Sequence, residues 1–409
     1  MFSTKLNILK NKKVRNFIIL QTLYNGIIAI LTLFVNTFLM KAYGTSSKEV
    51  IIYVIVQSIV QPIAMITSFS LTRKKGHLFT QRMGFVFYAN VLTVLCVFGE
   101  KVAFLYVLFG VLISFGAGYY YGIYSAQILA YTTDSNRDTI SGTATLFSSC
   151  ISLTIPLLAG YVITLFDEFI GYKIIFGIVA IISICAIITT TRLEPIPKKE
   201  NVPSFASVFK KILKDKNARI IMIANGLDNC RGATIPLFVS ILIYTIVQNE
   251  VLIGANSTIG SILAIVGAGL YGIIVNKNNR LKAMLMSVVV VLIPCVIMYF
   301  SLGVYTLIAF YAVYNLCNLF VGTPVLNTHF KVMENIEGLE GLGPQIHTVR
   351  EIFVSIGRII GYLMIAFIPQ TNMGIVIILS VLSIFSVVNY FLVKKASKNI
   401  NKKGENQDA

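Results

Sequence analysis

Long apolar runs alternate with short polar breaks along the whole chain. Each run holds roughly 20 or more residues without residue-by-residue alternation, which predicts membrane-spanning helices rather than strands. A helix also satisfies its own backbone hydrogen bonds, as a segment in hydrocarbon must. The pattern predicts twelve spans, at residues 16–41, 50–71, 79–99, 102–130, 140–166, 169–191, 219–247, 251–275, 283–303, 304–327, 348–369 and 373–393.

The composition agrees with this pattern. Of the 409 residues, 56% are hydrophobic and 12% are charged, and the mean hydropathy is +0.80. A soluble globular chain carries about 25% charged residues, so this chain has too few for a water-facing surface. The basic N-terminus leads into an apolar run longer than the roughly 7 to 15 residues typical of a signal peptide, so we expect a retained first span. The predicted fold class is an all-α membrane protein.

The basic residues predict an orientation. Lys and Arg cluster at the N-terminus, after the second, sixth and eighth spans, and at the C-terminus. Because cytoplasmic loops are enriched in these residues, we expect a cell-membrane protein with both termini in the cytoplasm. The net charge of +17 then lies mostly on the inner face, where it attracts anionic membrane lipids and requires no nucleic-acid partner.

The longest polar stretch between spans, residues 192–218, is a predicted linker. It separates a six-helix bundle at residues 1–191 from a second bundle at residues 219–393, which a cytoplasmic tail at residues 394–409 follows. Residues 204–216 alternate apolar and basic positions, as in a helix that lies on the inner membrane surface.

Short pieces of the first half recur in the second half at a nearly constant shift. The matched pairs are Asn25-Gly26 with Asn225-Gly226, Gly160-Tyr161 with Gly361-Tyr362, and Arg73-Lys74 with Asn276-Lys277. This recurrence indicates two six-helix pseudo-repeats, an architecture in which transporters place a midplane site between the repeats.

Two basic loops share a pattern with a known family. The residues concerned are Gly272, Asn276, Lys277 and Arg280 after the eighth span, and Arg73, Lys74 and Gly76 after the second. They resemble the loop motif of the major facilitator superfamily, in which a glycine precedes an aspartate by four positions and basic residues and a second glycine follow. The resemblance implies loops that take part in gating. Here Asn276 and Arg73 stand where the family has aspartate.

The fifth predicted span contains Pro156-Leu-Leu-Ala-Gly160. This segment resembles the end of the antiporter motif of drug and metabolite exporters, with alanine in place of one glycine. The family resemblance implies a secondary transporter working by alternating access, not an enzyme, and the antiporter-like segment favours export. We expect a monomer without a cofactor or a metal.

Ionisable side chains within the spans are the strongest candidates for a transport site, because each costs about 2.5 to 3.5 kcal/mol to place at mid-membrane. Asp228 and Arg231 are three residues apart and lie on one helix face, which suits either a substrate or proton site or a structural ion pair. Arg350 and Glu351 are expected at the cytoplasmic end of the eleventh span as a gate or an anchor. Arg358 lies deeper and must meet an anion, either Asp228 or a substrate.

Neutral polar and aromatic residues supply further candidates for the substrate pathway, although packing and interfacial anchoring are alternative roles. These candidates are Asn25, Asn225, Tyr121, Tyr314 and Asn315. The histidines His77, His329 and His347 fall in predicted cytoplasmic loops, where solvated side chains are expected.

The sequence favours proton-coupled export of a small amphipathic compound, with Asp228 or Glu351 carrying the proton. A flippase for a lipid or glycolipid is an alternative, because Arg358 suits a phosphate, and a nutrient importer is another. A lipid-modifying membrane enzyme is disfavoured, since the chain has no DxxD or HxxxH pattern for metal-assisted chemistry.

Overall fold

A computed structural model describes residues 11–132, 137–166, 169–196, 203–276, 279–369 and 371–405. Twelve long helices, labelled α1 to α12 here, run through these residues. They are α1 (Lys12–Ala42), α2 (Lys48–Lys75), α3 (His77–Phe98), α4 (Tyr106–Tyr131), α5 (Arg137–Leu165), α6 (Ile170–Thr190), α7 (Lys216–Val247), α8 (Glu250–Ile274), α9 (Arg280–Phe300), α10 (Val304–Glu334), α11 (Gly343–Phe367) and α12 (Asn372–Glu405). The predicted all-α membrane fold with twelve spans is confirmed.

Ten helical stretches of the described residues are long and apolar enough to cross a membrane. One of them, His77–Ile128, contains α3 and most of α4. The remaining long helix, α11, carries three charged residues, Arg350, Glu351 and Arg358. It is therefore the most informative helix for function, because charges in a spanning helix need partners.

Three helix boundaries differ from the hydropathy pattern. A 3-10 helix at Gly99–Leu105 separates α3 from α4, and Gly99 has the positive φ of 57° that favours glycine. Helix α10 continues to Glu334 instead of ending near residue 327, and α12 continues to Glu405 through most of the predicted tail. Both extensions are stabilised by burial, because side chains of the added turns, among them Val332 and Ala396, pack inside the protein.

The described chain forms two compact units. Unit 1 comprises Met1–Asn201 together with Val247–Thr258, which includes the start of α8. Inside it, α1 packs on α5 and α6, α2 packs on α4, and α3 packs on α6. Its core contains large buried aromatic side chains such as Phe34 and Tyr172.

Unit 2 comprises Val202–Ile246 together with Ile259–Ala409. Inside it, α9 packs on α10 and α12, and α11 packs on the linker helix, Phe205–Lys214. Ser204 caps the linker helix by accepting a hydrogen bond from the backbone N–H of Ser207 at 3.3 Å. Val208 and Ile212 are buried in the core of unit 2. Protein therefore covers the apolar face of this helix, and the prediction that this face lies on the membrane is wrong.

The two halves repeat one helix pairing through matched residues. In unit 1, Gly26 of α1 faces Ile155 of α5; in unit 2, a Cβ on Gly226 of α7 would lie 2.8 Å from the carbonyl oxygen of Phe353 of α11. The first and fifth helices of each half thus approach at the Asn-Gly pair that the sequence repeat identified. This correspondence supports the predicted pseudo-repeat.

Candidate functional site

A buried ion pair lies inside unit 2. Arg231 donates from Nη2 to Asp228 Oδ1 at 2.9 Å and to Asn318 Oδ1 at 2.9 Å. The guanidinium also lies 5.3 Å from the centre of the Tyr314 ring, a cation–π distance. The Arg231 side chain is 3% exposed and that of Asp228 is 19% exposed. Asp228 is therefore the member of the pair that solvent or a ligand can reach.

A second ion pair lies along α11. Arg358 donates from Nη1 to Glu351 Oε1 at 2.9 Å, and the Glu351 side chain is buried. Glu351, two turns earlier in the same helix, is thus an anionic partner of Arg358. Glu351 faces the protein interior, whereas an anchor at the membrane surface would face water.

Arg350, beside Glu351 in sequence, has a different partner. It donates from Nε to the amide oxygen of Asn225 at 2.6 Å. The amide nitrogen of Asn225 donates to the Ile221 carbonyl at 2.7 Å and lies 3.4 Å from Nδ1 of His329. The hydrogen bond between Arg350 and Asn225 connects α11 to α7, so these two residues meet although separate roles were predicted for them.

The expectation of solvated loop histidines is wrong. His77 is the first residue of α3, His329 lies inside α10, and His347 lies in the first turns of α11. His77 and His329 are buried. His329 was predicted to lie in a loop because helix α10 continues beyond its apolar residues. The His329 ring lies beside Asn225 in the polar interior of unit 2.

Asn315 contributes to packing. Its amide nitrogen donates to the Tyr311 carbonyl at 2.8 Å. The same nitrogen would lie 2.9 Å from a Cβ on Gly260 of α8. Tyr314 is buried with its ring beside Arg231. Of these two predicted pathway residues, Tyr314 is the one that touches a charged group of the site.

Unit 1 holds a cluster of aromatic and amide side chains on α1 and α4. Tyr24 stacks on Tyr120 with ring centres 3.5 Å apart, and the half-buried Tyr121 meets Tyr24 edge-on at 5.6 Å. Gln21 donates to the hydroxyl of Tyr124 at 3.0 Å. The half-buried members of this cluster present ring faces and hydroxyl groups, which suit an amphipathic solute.

Asn25 lies close to this aromatic cluster in sequence and links two helices of unit 1. Its amide nitrogen donates to the hydroxyl oxygen of Ser148, on α5, at 2.5 Å. Asn25 and Asn225 are matched positions of the repeat, so each half has an asparagine that bonds its first helix to its fifth.

The two motif loops are held by local contacts. Gly76 ends α2 with φ of 89°, and Arg73 and Lys74 are exposed just before it. Asn276 and Asn279 each accept a hydrogen bond from the other's backbone N–H, at 3.1 and 2.7 Å. These asparagines therefore fix the turn where the family motif has aspartate and glycine.

Other predicted residues of the second loop lie around this turn. Gly272 has open space around it, and Arg280 begins α9. Lys277 lies outside the described residues. The gating roles of both loops stay predictions.

The antiporter-like segment of α5 packs against the start of α8. A Cβ on Gly160 would lie 2.5 Å from the Glu250 carbonyl oxygen, and a Cβ on Gly254 would overlap the carbonyl of Pro156. Thr258 donates to the Leu153 carbonyl at 2.9 Å. The small residues of this segment thus permit close backbone contact, which is a packing role that the sequence does not distinguish from a transport role.

A buried acid, Glu250, lies at this contact and is not among the predicted site residues. Glu250 is 5% exposed and accepts a hydrogen bond from the Tyr172 hydroxyl at 2.9 Å. Lys41 Nζ lies 3.6 Å from the same carboxylate oxygen and over the rings of Phe169 and Tyr172. An acid at a helix start resembles an ordinary terminal residue, and Glu250 follows the polar pair Gln248-Asn249, so the sequence carries no signal of its burial.

These features define a class of protein: a polytopic membrane protein built from two six-helix repeats, with ion pairs inside its spanning helices. The profile of the Major Facilitator Superfamily matches residues 10–337. The chain therefore belongs to the Major Facilitator Superfamily, and it is a multi-pass secondary transporter that works by alternating access.

Two bacterial proteins have sequences similar to that of this chain. The uncharacterized protein YqgE of Bacillus subtilis (strain 168) is 23% identical over 402 residues, which cover 97% of this chain and 92% of the relative. An uncharacterized protein of Geobacillus stearothermophilus, encoded in a sodM 3' region, is 26% identical over 156 residues, which are 37% of this chain and 71% of that protein.

Solved transporter structures share the fold. The E. coli fucose:proton symporter FucP superposes with a TM-score of 0.67 at 11% identity, over 94% of this chain and 98% of the symporter. A structure of proton dependent oligopeptide transporters gives a TM-score of 0.69 at 11% identity, over 96% and 99% of the two chains. At these identities the likeness shows the fold alone.

Proposed function

We propose that this transporter is a proton-coupled exporter of a small amphipathic compound in the cell membrane, with both termini in the cytoplasm. The observation that carries the proposal is the Asp228–Arg231 pair at 2.9 Å, in which the acid is partly accessible and the arginine is buried. A proton on Asp228 would neutralise the carboxylate and weaken its attraction to Arg231, so proton binding and the state of the pair are linked.

Two further features favour this substrate class and direction. The tyrosines and amides of unit 1 offer ring faces together with hydrogen-bonding groups, as an amphipathic solute requires. The segment Pro156 to Gly160 resembles the antiporter motif of exporters. Membrane lipids and protons are the partners that this mechanism needs, and a monomer suffices for it.

Transport by everted membrane vesicles tests the proposal. Vesicles with wild-type protein, Asp228→Asn or Glu337→Gln are given a pH gradient, acidic inside, and a panel of fluorescent dyes and drugs. Glu337 is an exposed acid in the connection between α10 and α11 and serves as the matched control. We expect gradient-driven uptake by the wild type and Glu337→Gln, and loss of at least nine-tenths of the rate in Asp228→Asn.

The other outcomes separate the competing functions. Gradient-driven uptake that persists in Asp228→Asn would remove Asp228 from the proton pathway. A wild type without gradient-driven uptake would contradict proton-coupled export. The flippase would then be the stronger candidate, because Arg350 and Arg358 lie in α11 and suit a phosphate group.

A further inference from the structure

The positive and negative charges of the arginines and carboxylates inside unit 2 do not sum to zero. Three arginines, Arg231, Arg350 and Arg358, lie with two carboxylates, Asp228 and Glu351, on α7 and α11. Each carboxylate bonds a different arginine at 2.9 Å, which leaves one positive charge in excess. The nearby histidines add no negative charge.

Arg350 carries this excess charge. Among the residues that the structure describes, it has no carboxylate at ion-pair distance, and its hydrogen bond goes to the neutral amide of Asn225. Asp228 and Glu351 are close enough to act on its charge, but each already bonds another arginine. The bond to Asn225 uses Nε, so the two terminal nitrogens of the planar guanidinium can still bind an anion in bidentate fashion.

The internal repeat makes the corresponding helix contact without a charge. Asn25 bonds Ser148 between α1 and α5, and Asn225 bonds Arg350 between α7 and α11. Ser148 thus links the same two helices of its half with a neutral hydroxyl group. A charged side chain within a spanning helix is costly, so a position that a hydroxyl group can serve structurally points to a ligand as the reason for the arginine.

We propose that Arg350 binds an anionic group, a carboxylate or a phosphate, of the transported compound. This inference rests on the proposed transport function and adds the charge of the substrate to it. The negative group would lie against the terminal nitrogens of Arg350, while Asn225 and the helix contact hold the guanidinium in place. The same chemistry could be supplied by a soluble organic anion or by the phosphate of a lipid headgroup.

Binding without a proton gradient tests this inference separately from transport. The purified protein in detergent is heated with a thiol-reactive fluorophore, which reports exposure of the buried Cys230, Cys295 and Cys317. The probes are succinate, citrate, glucose 6-phosphate and phosphatidylglycerol. The controls are glucose, choline and sodium chloride at matched ionic strength, with phosphatidylcholine as the lipid control.

We expect at least one anionic probe to raise the Tm of the wild type by roughly 2 °C or more at saturation. Arg350→Gln keeps an N–H donor for Asn225 without the charge and should abolish the shift, whereas Arg350→Lys should retain part of it. Arg350→Ser, which copies Ser148, is the second neutral variant if Arg350→Gln folds poorly.

Each result decides the question. A shift with soluble anions identifies a solute, and a shift with phosphatidylglycerol alone identifies a lipid headgroup, provided that the neutral variants lose it. If none of the anions stabilises the wild type beyond sodium chloride, or if the shift persists in both neutral variants, the inference is overturned. A wild type that shows the anion shift but no gradient-driven dye transport would contradict the exporter and leave the anion site standing.

Discussion

At the scale of single residues, unequal burial of the two partners determines how each ion pair responds to mutation. Arg231 is almost fully buried, whereas Asp228 is partly exposed. Removing Asp228 leaves a buried cation with a neutral amide and a ring as its partners. Removing Arg231 leaves an acid that water can partly solvate. The two single substitutions should therefore differ in cost.

We predict that Asp228→Ala lowers the free energy of unfolding by about 3 kcal/mol or more, because it strands the charge of Arg231. The double variant Asp228→Ala with Arg231→Met removes both charges and should regain most of this loss. The stability of the single and the double variant is measured by thermal unfolding in detergent, with the reaction of the buried cysteines as the signal. A double variant as unstable as Asp228→Ala alone would show that the pair is not a coupled structural unit.

The candidate residues could be read from the sequence, but of their partners only those three residues apart on one helix could. Intramembrane charges are rare, so Asp228, Arg231 and Arg358 are conspicuous in apolar runs. Pairing depends on which rotamers and neighbouring helices are available. Arg358 reaches Glu351 along its own helix, and Arg350 reaches across to Asn225. Spacing along one helix predicted the pair Asp228–Arg231 because both residues share a face.

At the scale of helices, hydropathy predicted the spans well because a run of about 20 apolar residues is a strong signal. It failed where polar residues continue a helix. The last turns of α10 contain His329 and Lys331, which end the apolar run, yet Val332 and Met333 are buried among other helices of unit 2. Tertiary contacts therefore extend the helix beyond the part that hydropathy detects.

The contact between α7 and α11 depends on small residues. Gly357 and Gly361 form a small-xxx-small pair on α11, and side chains there would overlap Gly226 and Thr234 of α7. We predict that Gly357→Ala lowers the free energy of unfolding by about 1 to 3 kcal/mol through this clash.

Gly232→Ala is the matched control, because no atom lies within 4 Å of the Cβ it would add. Alanine also favours a helix over glycine by about 1 kcal/mol, so this variant should be neutral or more stable. Equal stability of the two variants in a thermal unfolding assay would argue that the helices are not in close contact at Gly357.

At the scale of the whole molecule, the two repeats share a helix contact but differ in the charge at that contact. Both halves bond their first and fifth helices through an asparagine, but only the second half adds ionisable partners at this contact among the residues that the structure describes. Unit 1 instead contributes the stacked tyrosines. The two halves therefore share one kind of helix contact but differ in the side chains beside it.

The basic loops predict the orientation of the whole chain, and this prediction can be tested across one helix. Lys75 and Lys101 are exposed and flank α3, and the basic cluster before α3 predicts that Lys75 faces the cytoplasm. In a background with the native cysteines changed to alanine, Lys101→Cys should react with a membrane-impermeant maleimide on intact cells. Lys75→Cys should react only in everted vesicles. The opposite pattern would place the basic loops outside, and the predicted entry side for protons would then be reversed.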